Sequence, residues 1–209
     1  MPLLYSLAWF LLMIAAAVAA VVCLLLLVFL LAFAWRAPRR HRAMSLGYCA
    51  VQTGCWLFLK CFYRIRLKGL ENIPDQGGVL LIANHISYVD VIVLQMTCPR
   101  PIRFVGYHGL TRNPFFNWCF EISGSIPISS EQPRSGLKAA VAALTAGEVV
   151  CVCPEGQISR TGQLMKIQRG FEVMARQANV PVVAAAIDGL WGSVFSFSGN
   201  KCLWKSPRL

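Results

Sequence analysis

The N-terminal segment constrains the fold most, because its first 35 residues contain no charged side chain. At about 1.5 Å per residue, a helix of this length crosses a bilayer core of about 30 Å. A secretory signal peptide would have a shorter apolar core preceded by basic residues. Here four arginines follow the segment instead, at positions 36, 39, 40 and 42. We therefore predict a membrane helix over residues 1–36, with a monotopic or re-entrant anchor as the open alternative.

The rest of the chain divides into a short basic region and one domain. The arginines after the apolar segment place the chain that follows on the cytoplasmic side, by the positive-inside rule. We expect a basic juxtamembrane segment with an interfacial helix over residues 37–62, in which Trp56 and Lys60 serve as anchors. Residues 63–209 are enough for a single domain.

Charge and cysteine usage narrow the class of partner. The net charge of +11 indicates an anionic partner. Beside a membrane segment this favours an anionic membrane surface, and no zinc-finger, RNA-binding or helix-turn-helix pattern suggests nucleic acid. The nine cysteines include no CxxC pair, so we expect reduced, mostly buried thiols and no metal site.

Hydrophobic patterning in the domain indicates the α/β class. Short apolar runs alternate with helical patterns, which is typical of a sheet with helices on its faces. We predict a central mixed sheet flanked by helices. Its strands are expected near residues 63–68, 78–83, 102–105, 124–128, 149–153 and 180–187, and its helices near 113–118, 134–146 and 171–178.

A histidine and an aspartate follow the buried run at residues 78–83. His85 and Asp90 are five residues apart, with a turn between them. A carboxylate there can accept a hydrogen bond from one imidazole nitrogen and leave the other free to take a proton from a substrate hydroxyl. Taken alone, His85 would more often be a structural histidine.

Two further strand ends carry polar groups, and such groups converge at one edge of a sheet. Glu155 follows one apolar run and Asp188 another. Glu155 is interpreted as an acceptor for backbone amides, or alternatively as a partner for a substrate hydroxyl or an arginine. Arg160 and Arg169 follow Glu155 closely, together with a lysine between them, and we expect either a solvated loop or a phosphate-binding cluster.

Four blocks in this order resemble the glycerophospholipid acyltransferase family, of the 1-acylglycerol-3-phosphate acyltransferase type. They are Asn84-His85-x-Ser87-x-x-Asp90, Gly124-x-Ile126-Pro127-Ile128, Pro154-Glu155-Gly156 and Val180-Pro181-Val182. The resemblance covers about residues 60–195. The stretch from Asp188 to Phe197 resembles the modules related to 2-acylglycerophosphoethanolamine acyltransferase more closely still.

The resemblance implies transfer of an acyl group from an acyl thioester to a lysophospholipid hydroxyl, with no cofactor and no metal. The donor would be acyl-coenzyme A or acyl-carrier protein. His85 would be the general base and Asp90 its orienting carboxylate. The motif also implies substrate-binding roles for the remaining matched residues: Asn84, Ser87, Glu155, Gly156 and Arg160, with Arg169 as a further phosphate candidate.

Departures from the family pattern keep alternatives open for the substrate and for the activity. Ile158 and Gln168 stand where relatives often have arginine and lysine, and Ser129 stands near a usual arginine. The changes favour a lysophospholipid with a substituted headgroup, or a catalytically impaired lipid-binding module of the same fold. A covalent acyl intermediate on Ser87 or a cysteine is a separate alternative, although no Gly-x-Ser-x-Gly motif supports it. Relatives usually continue beyond the position of Leu209, so a truncated domain also remains open.

Overall fold

The computed structural model describes residues 2–36, 46–129 and 131–198, which form two compact units divided between Cys61 and Phe62. The first unit contains helix α1 (Pro2–Arg36) and all but the last residue of helix α2 (Leu46–Phe62). Within α1, residues Trp9–Ala34 are long and apolar enough to cross a membrane. In α2 the ammonium of Lys60 lies 5.9 Å from the centroid of the Trp56 ring. The predicted basic segment at residues 37–45 lies outside the described residues.

The second unit is an α/β domain with a five-stranded sheet. Its strands and helices alternate along the chain in this order: β1 (Val79–Ala83), α3 (Asp90–Thr97), β2 (Ile102–Tyr107), α4 (Pro114–Ser123), β3 (Ile126–Ile128), α5 (Pro133–Thr145), β4 (Val149–Val152), α6 (Gly170–Ala178) and β5 (Val182–Ala185). The spatial order of the strands is β3-β2-β4-β1-β5. The α/β class predicted from the sequence is therefore confirmed.

Every strand pairing in this sheet is parallel, so the predicted mixed sheet is wrong in that respect. Each helical crossover returns the chain to the amino-terminal end of the sheet, so the next strand runs in the same direction as the one before it. All strand carboxyl ends therefore lie at one edge, which we call the carboxyl edge. The antiparallel exception among the described residues is an isolated bridge between Ser87 and Ser196.

The sheet is buried on both faces by alternating side chains of its central strands. Val79, Leu81 and Ala83 of β1 pack on one face with Leu94 of α3. Leu80 points to the other face, where it packs in a cluster with residues of α5 and α6. Two-sided burial explains why β1 and β4 have continuous apolar sequences rather than alternating ones.

The predicted edge strand at residues 63–68 is wrong, because Tyr63–Lys68 forms no strand. Its alternation of apolar and basic residues does not bury one face, since Ile65 and Leu67 are exposed like the basic residues between them. The two outermost strands of the sheet are instead β3 and β5.

Candidate active site

The carboxyl end of β1 positions His85 against Asp90, the first residue of α3. His85 Nδ1 lies 2.9 Å from Asp90 Oδ2, and the side chains are 19% and 0% exposed, respectively. Asp90 Oδ2 also accepts hydrogen bonds from the backbone N–H groups of Ile86, at 2.7 Å, and Ser87, at 3.0 Å. A carboxylate at the N-terminus of a helix is further stabilised by the helix dipole.

These contacts determine where the imidazole carries its proton. Asp90 Oδ2 already accepts two amide N–H groups as a carboxylate, so it accepts from His85 Nδ1 as well, and Nδ1 carries the proton. Nε2 then has a free lone pair, and no hydrogen bond to it is formed by the described residues. The partly exposed imidazole can therefore accept a proton from a bound hydroxyl.

Glu155, which follows β4, links the His85 turn to the next loop. Its Oε1 accepts from the backbone N–H of His85 at 2.8 Å, and its Oε2 accepts from that of Met165 at 2.9 Å. The side chain is buried. Both oxygens thus have backbone partners, which corresponds to the interpretation of Glu155 as a backbone acceptor and favours a positioning role over direct substrate contact.

Asn84 connects the ends of two neighbouring strands. Its side-chain amide donates to the carbonyl of Ile187 at 2.9 Å, and its Oδ1 accepts from the N–H of Ile187 at 2.7 Å. Ile187 follows β5, which pairs with β1. Asn84 therefore holds the ends of β1 and β5 together beside His85. To bind substrate as predicted, its side chain would have to contact the substrate as well as the backbone of Ile187.

Ser87 is fully buried, and its Oγ accepts from the backbone N–H of Val89 at 3.2 Å. The chain around it is covered by the segment that follows β5, since the N–H of Tyr88 donates to the carbonyl of Phe195 at 3.2 Å. A hydroxyl that is closed off from solvent in this way is poorly placed to attack a thioester. Ser87 therefore presents no exposed surface for the predicted contact with substrate.

The loop after Glu155 is fixed at both ends beside the His85 turn. The N–H of Ser159 donates to the carbonyl of His85 at 2.7 Å, and the N–H of Gln168 donates to that of Pro154 at 2.8 Å. Gly156 is exposed and has a φ of 74°, a conformation that favours glycine. The loop is thereby held next to the imidazole, and Gly156 gives it a surface without a side chain.

The two predicted phosphate-binding arginines lie in different surroundings. The guanidinium of Arg160 lies 5.2 Å from the centroid of the Phe197 ring, which is itself 5.8 Å from that of Tyr88. Through these rings the structure brings Arg160 close to the His85 turn. Arg169 is 87% exposed and lies 3.7 Å from Glu172, and no described contact joins it to His85.

The sequence did not identify Phe197, Tyr88 or Ser159 as parts of the site. The aromatic-rich stretch after β5 was a usable signal for Phe197, but its contact with Arg160 depends on the fold.

Cys153, at the end of the β4 region, has its pKa raised to about 12 by burial and, to a lesser extent, by the negative charges of Asp90 and Glu155. A thiol of this kind is neutral near pH 7 and is a weak nucleophile. Among the described ranges, no group of three His, Cys, Asp or Glu side chains could hold a metal ion.

Comparison with known proteins places this geometry in context. A family model described as "Acyltransferase" matches residues 64–188. A 1-acyl-sn-glycerol-3-phosphate acyltransferase of Arabidopsis thaliana chloroplasts is 30% identical over 132 residues, which is 61% of this chain and 37% of the relative. The enzyme of that name from Bacillus subtilis is 28% identical over 127 residues, 60% of this chain and 63% of the relative. The chain thus spans between 37% and 63% of the length of these two relatives.

A solved structure has the same fold. The crystal structure of the 1-acyl-sn-glycerophosphate acyltransferase PlsC from Thermotoga maritima matches with a TM-score of 0.59 and 22% identity. The match covers 81% of this chain and 76% of the other. The matched region of the family model contains the His85–Asp90 pair and Glu155, and its last residue is Asp188, directly after Ile187.

Proposed function

The chain belongs to the Acyltransferase family, and from that premise we propose that it transfers an acyl group from an acyl thioester to the free hydroxyl of a lysophospholipid. The observation that carries the proposal is the hydrogen bond of 2.9 Å between His85 Nδ1 and Asp90 Oδ2. It leaves Nε2 directed away from the carboxylate as a base, within the region that the family model matches.

In the proposed reaction, His85 Nε2 removes the proton from the acceptor hydroxyl as its oxygen forms a bond to the thioester carbonyl carbon. The carbonyl electrons move onto oxygen, giving a tetrahedral oxyanion. When this intermediate collapses, the carbon–sulfur bond breaks. The leaving thiolate takes up the proton that the imidazolium holds. The products are an ester and a free thiol. Asp90 holds the imidazole in place and stabilises its positive charge while the proton is there.

No covalent acyl-enzyme is needed in this scheme. Ser87 is fully buried, and the raised pKa of Cys153 keeps that thiol neutral. A thioester is already activated, so direct attack by the deprotonated acceptor hydroxyl is chemically sufficient. The donor class is an acyl thioester, carried by coenzyme A or acyl-carrier protein.

Arg160 is the residue that we assign to the phosphate of the acceptor. Its guanidinium is exposed and is held on the ring of Phe197, at 5.2 Å from the ring centroid, beside the His85 turn. Arginine binds phosphate through two parallel hydrogen bonds. The absence of arginine at Ile158 and of lysine at Gln168 leaves fewer cations near the headgroup, which favours a lysophospholipid of lower negative charge than lysophosphatidate.

We place the protein at a membrane, where both the acceptor and the product reside. Residues Trp9–Ala34 provide the candidate span, and the arginines that follow it favour a cytoplasmic location for the domain.

The proposal is tested with the purified full chain in vesicles. Labelled acyl-coenzyme A and acyl-carrier protein are supplied separately, each with a set of lysophospholipids that differ in headgroup, and the lipids are separated by chromatography. We expect a diacyl phospholipid to form with at least one pair. If folded protein produces none with any pair while still binding lysophospholipid, the alternative of a lipid-binding module without turnover replaces this proposal.

A further inference from the structure

We propose that the carboxyl edge of the sheet carries a docking surface for an anionic phospholipid bilayer. It is built from an aromatic patch after β2 and an apolar loop after β4. The inference rests on the proposed membrane residence of the chain, but it does not depend on turnover. It adds to the helical anchor a surface that determines which side of the domain meets the lipid.

The aromatic patch consists of large apolar side chains that the domain leaves in solvent. Phe115 is 62% exposed, and the patch as a whole contains Tyr107, Leu110, Phe115, Phe116 and Trp118. The rings contact one another, with centroids of Phe115 and Phe116 at 5.5 Å and of Phe115 and Trp118 at 6.3 Å. Contiguous exposed apolar surface of this kind marks an interaction site.

The exposure does not result from a helix that lacks packing. On the face of α4 away from Phe115 and Trp118, the ring of Phe120 lies against Gly106 of β2 so closely that a Cβ at Gly106 would be only 2.6 Å from the ring. The N-terminus of α4 is capped by Asn113 Oδ1, which accepts from the N–H of Phe115 at 2.9 Å. The helix is therefore fixed in an orientation that presents Phe115 and Trp118 outwards, with Phe116 partly exposed beside them.

The apolar loop has the same character. Leu164 is 65% exposed and Ile167 is also exposed. Between them, the backbone of Met165 is held by Glu155 Oε2 at 2.9 Å, so the loop is fixed to the active site while Leu164 and Ile167 remain in solvent. The loop thus couples the proposed surface directly to the carboxylate that holds the His85 turn.

Topology brings the patch and the loop to the same side. Strands β2 and β4 are neighbours and parallel, and β4 is also parallel to β1. The patch follows β2, the loop follows β4 and His85 follows β1, so all three lie at the carboxyl edge. A bilayer that contacts the first two therefore lies next to His85.

Charge and ring type together favour an anionic lipid surface as the occupant. The aromatic patch lies in the connection between β2 and β3, which contains one acidic residue, Glu121 of α4, whose Oε1 accepts from the side-chain amide of Asn117. The loop after Glu155, residues 156–169, contains no Asp or Glu. The first carries the exposed Arg112, and the second carries Arg160, Lys166 and Arg169. Trp and Tyr side chains prefer the headgroup region of a bilayer, and neighbouring bases attract anionic lipid. Exposed aromatic rings beside a loop that is rich in bases combine both preferences.

Trp118 allows a test with the full chain. The protein is reconstituted in vesicles of phosphatidylcholine and phosphatidylglycerol, at a ratio of about 7:3, with or without phosphatidylcholine brominated on its acyl chains. The emission of Trp118 is obtained as the difference between the wild type and Trp118→Phe. Because the side chain should enter the headgroup and upper acyl region, we expect the bromolipid to remove about half of this emission. Added iodide should quench it only weakly.

The matched control has a tryptophan at the amino-terminal end of the strands, which is the end opposite the carboxyl edge. Val182 is 42% exposed, close to the 43% of Trp118, and it begins β5. In the double variant Trp118→Phe/Val182→Trp we expect quenching by iodide and none by bromolipid above the Trp118→Phe background. Circular dichroism verifies that both variants are folded.

Three results would overturn the proposal. The first is Trp118 emission that bromolipid leaves unchanged and iodide quenches, which would mean that the patch stays in water. The second is emission protected from both quenchers in proportion to protein concentration, which would assign the patch to a second copy of the chain. The third is equal bromolipid quenching of Trp118 and of the tryptophan at position 182. Since the assay contains no acyl donor, a failure of turnover does not affect its outcome.

Discussion

Replacing Asp90 by Asn tests the orienting role of the carboxylate with little change in shape. In the wild type, Oδ2 accepts from the N–H groups of Ile86 and Ser87 as well as from His85 Nδ1. The two backbone donors require an oxygen at this position, so they hold the Asn side chain with its oxygen towards His85. Its NH₂ group then takes the place of Oδ1, which has no hydrogen-bond partner among the described residues. The Nδ1–H tautomer is thereby kept, and only the charge is lost.

The magnitude follows from that charge. Three hydrogen bonds to a charged acceptor become bonds to a neutral one, at about 1 kcal/mol each, so we expect a loss of about 3 kcal/mol in the free energy of unfolding. The imidazolium formed during transfer loses its counter-charge. We therefore expect kcat to fall by about 100-fold to 1,000-fold, within the range that acid–base catalysis contributes.

Initial rates with a labelled acyl thioester and vesicle-borne lysophospholipid give kcat and KM, and thermal unfolding gives the stability. Asp188→Asn is the matched control, because Asp188 is exposed and its Oδ1 accepts from the N–H of Gly189 at 2.7 Å. A kcat for Asp90→Asn within about threefold of wild type would refute the reasoning. So would an equal loss in Asp188→Asn.

Three further outcomes follow from the site. Glu155→Gln directs an NH₂ group at one of two backbone donors, so denaturant titration should show about 1–3 kcal/mol lower stability, and initial rates a lower kcat; unchanged stability would contradict the bracing role. Arg160→Ala should raise KM for the lysophospholipid more than KM for the acyl donor, whereas the exposed Arg176→Ala should change neither, and equal changes in both KM values would remove Arg160 from the phosphate site. Because the pKa of Cys153 is raised to about 12 from 9.0, its contribution to stability is present below about pH 9 and is lost as the pH rises towards 12. Between these limits this thiol should lower the free energy of unfolding by about 1.4 kcal/mol per pH unit. Urea titrations at several pH values should therefore show that the free energy of unfolding of Cys153→Ala falls less steeply with pH than that of the wild type. An identical dependence on pH would contradict the burial argument.

Local signals predicted the elements of the domain well. Asn113 followed by Pro114 predicted the start of α4, and Asn113 caps that helix. The apolar runs predicted β1 and β4, because strands buried on both faces require them. The sequence could not give the spatial order of the strands, since that order depends on which face of the sheet each crossover packs. It also misassigned Tyr63–Lys68, where the alternation of apolar and basic residues does not bury one face.

The candidate site was predictable to the extent that it is local. His85 and Asp90 are five residues apart, so the turn between them is enough to suggest their contact. The bonds between Asn84 and Ile187 span 103 residues, and the contact between Arg160 and Phe197 depends on the path of the chain after β5. Such contacts arise from tertiary packing, which no local pattern encodes. For the same reason, the two backbone partners of Glu155 became visible only in the structure.

The central claim is that His85 Nε2 acts as the general base, and His85→Ala tests it most directly. The variant and the wild type are compared in the vesicle transfer assay, with His108→Ala as control, because His108 is exposed and lies in a separate 3₁₀ helix. The account predicts that His85→Ala remains folded and vesicle-bound while transfer falls by about 1,000-fold or more, and that His108→Ala transfers at the wild-type rate. Transfer by His85→Ala within about tenfold of wild type would contradict it.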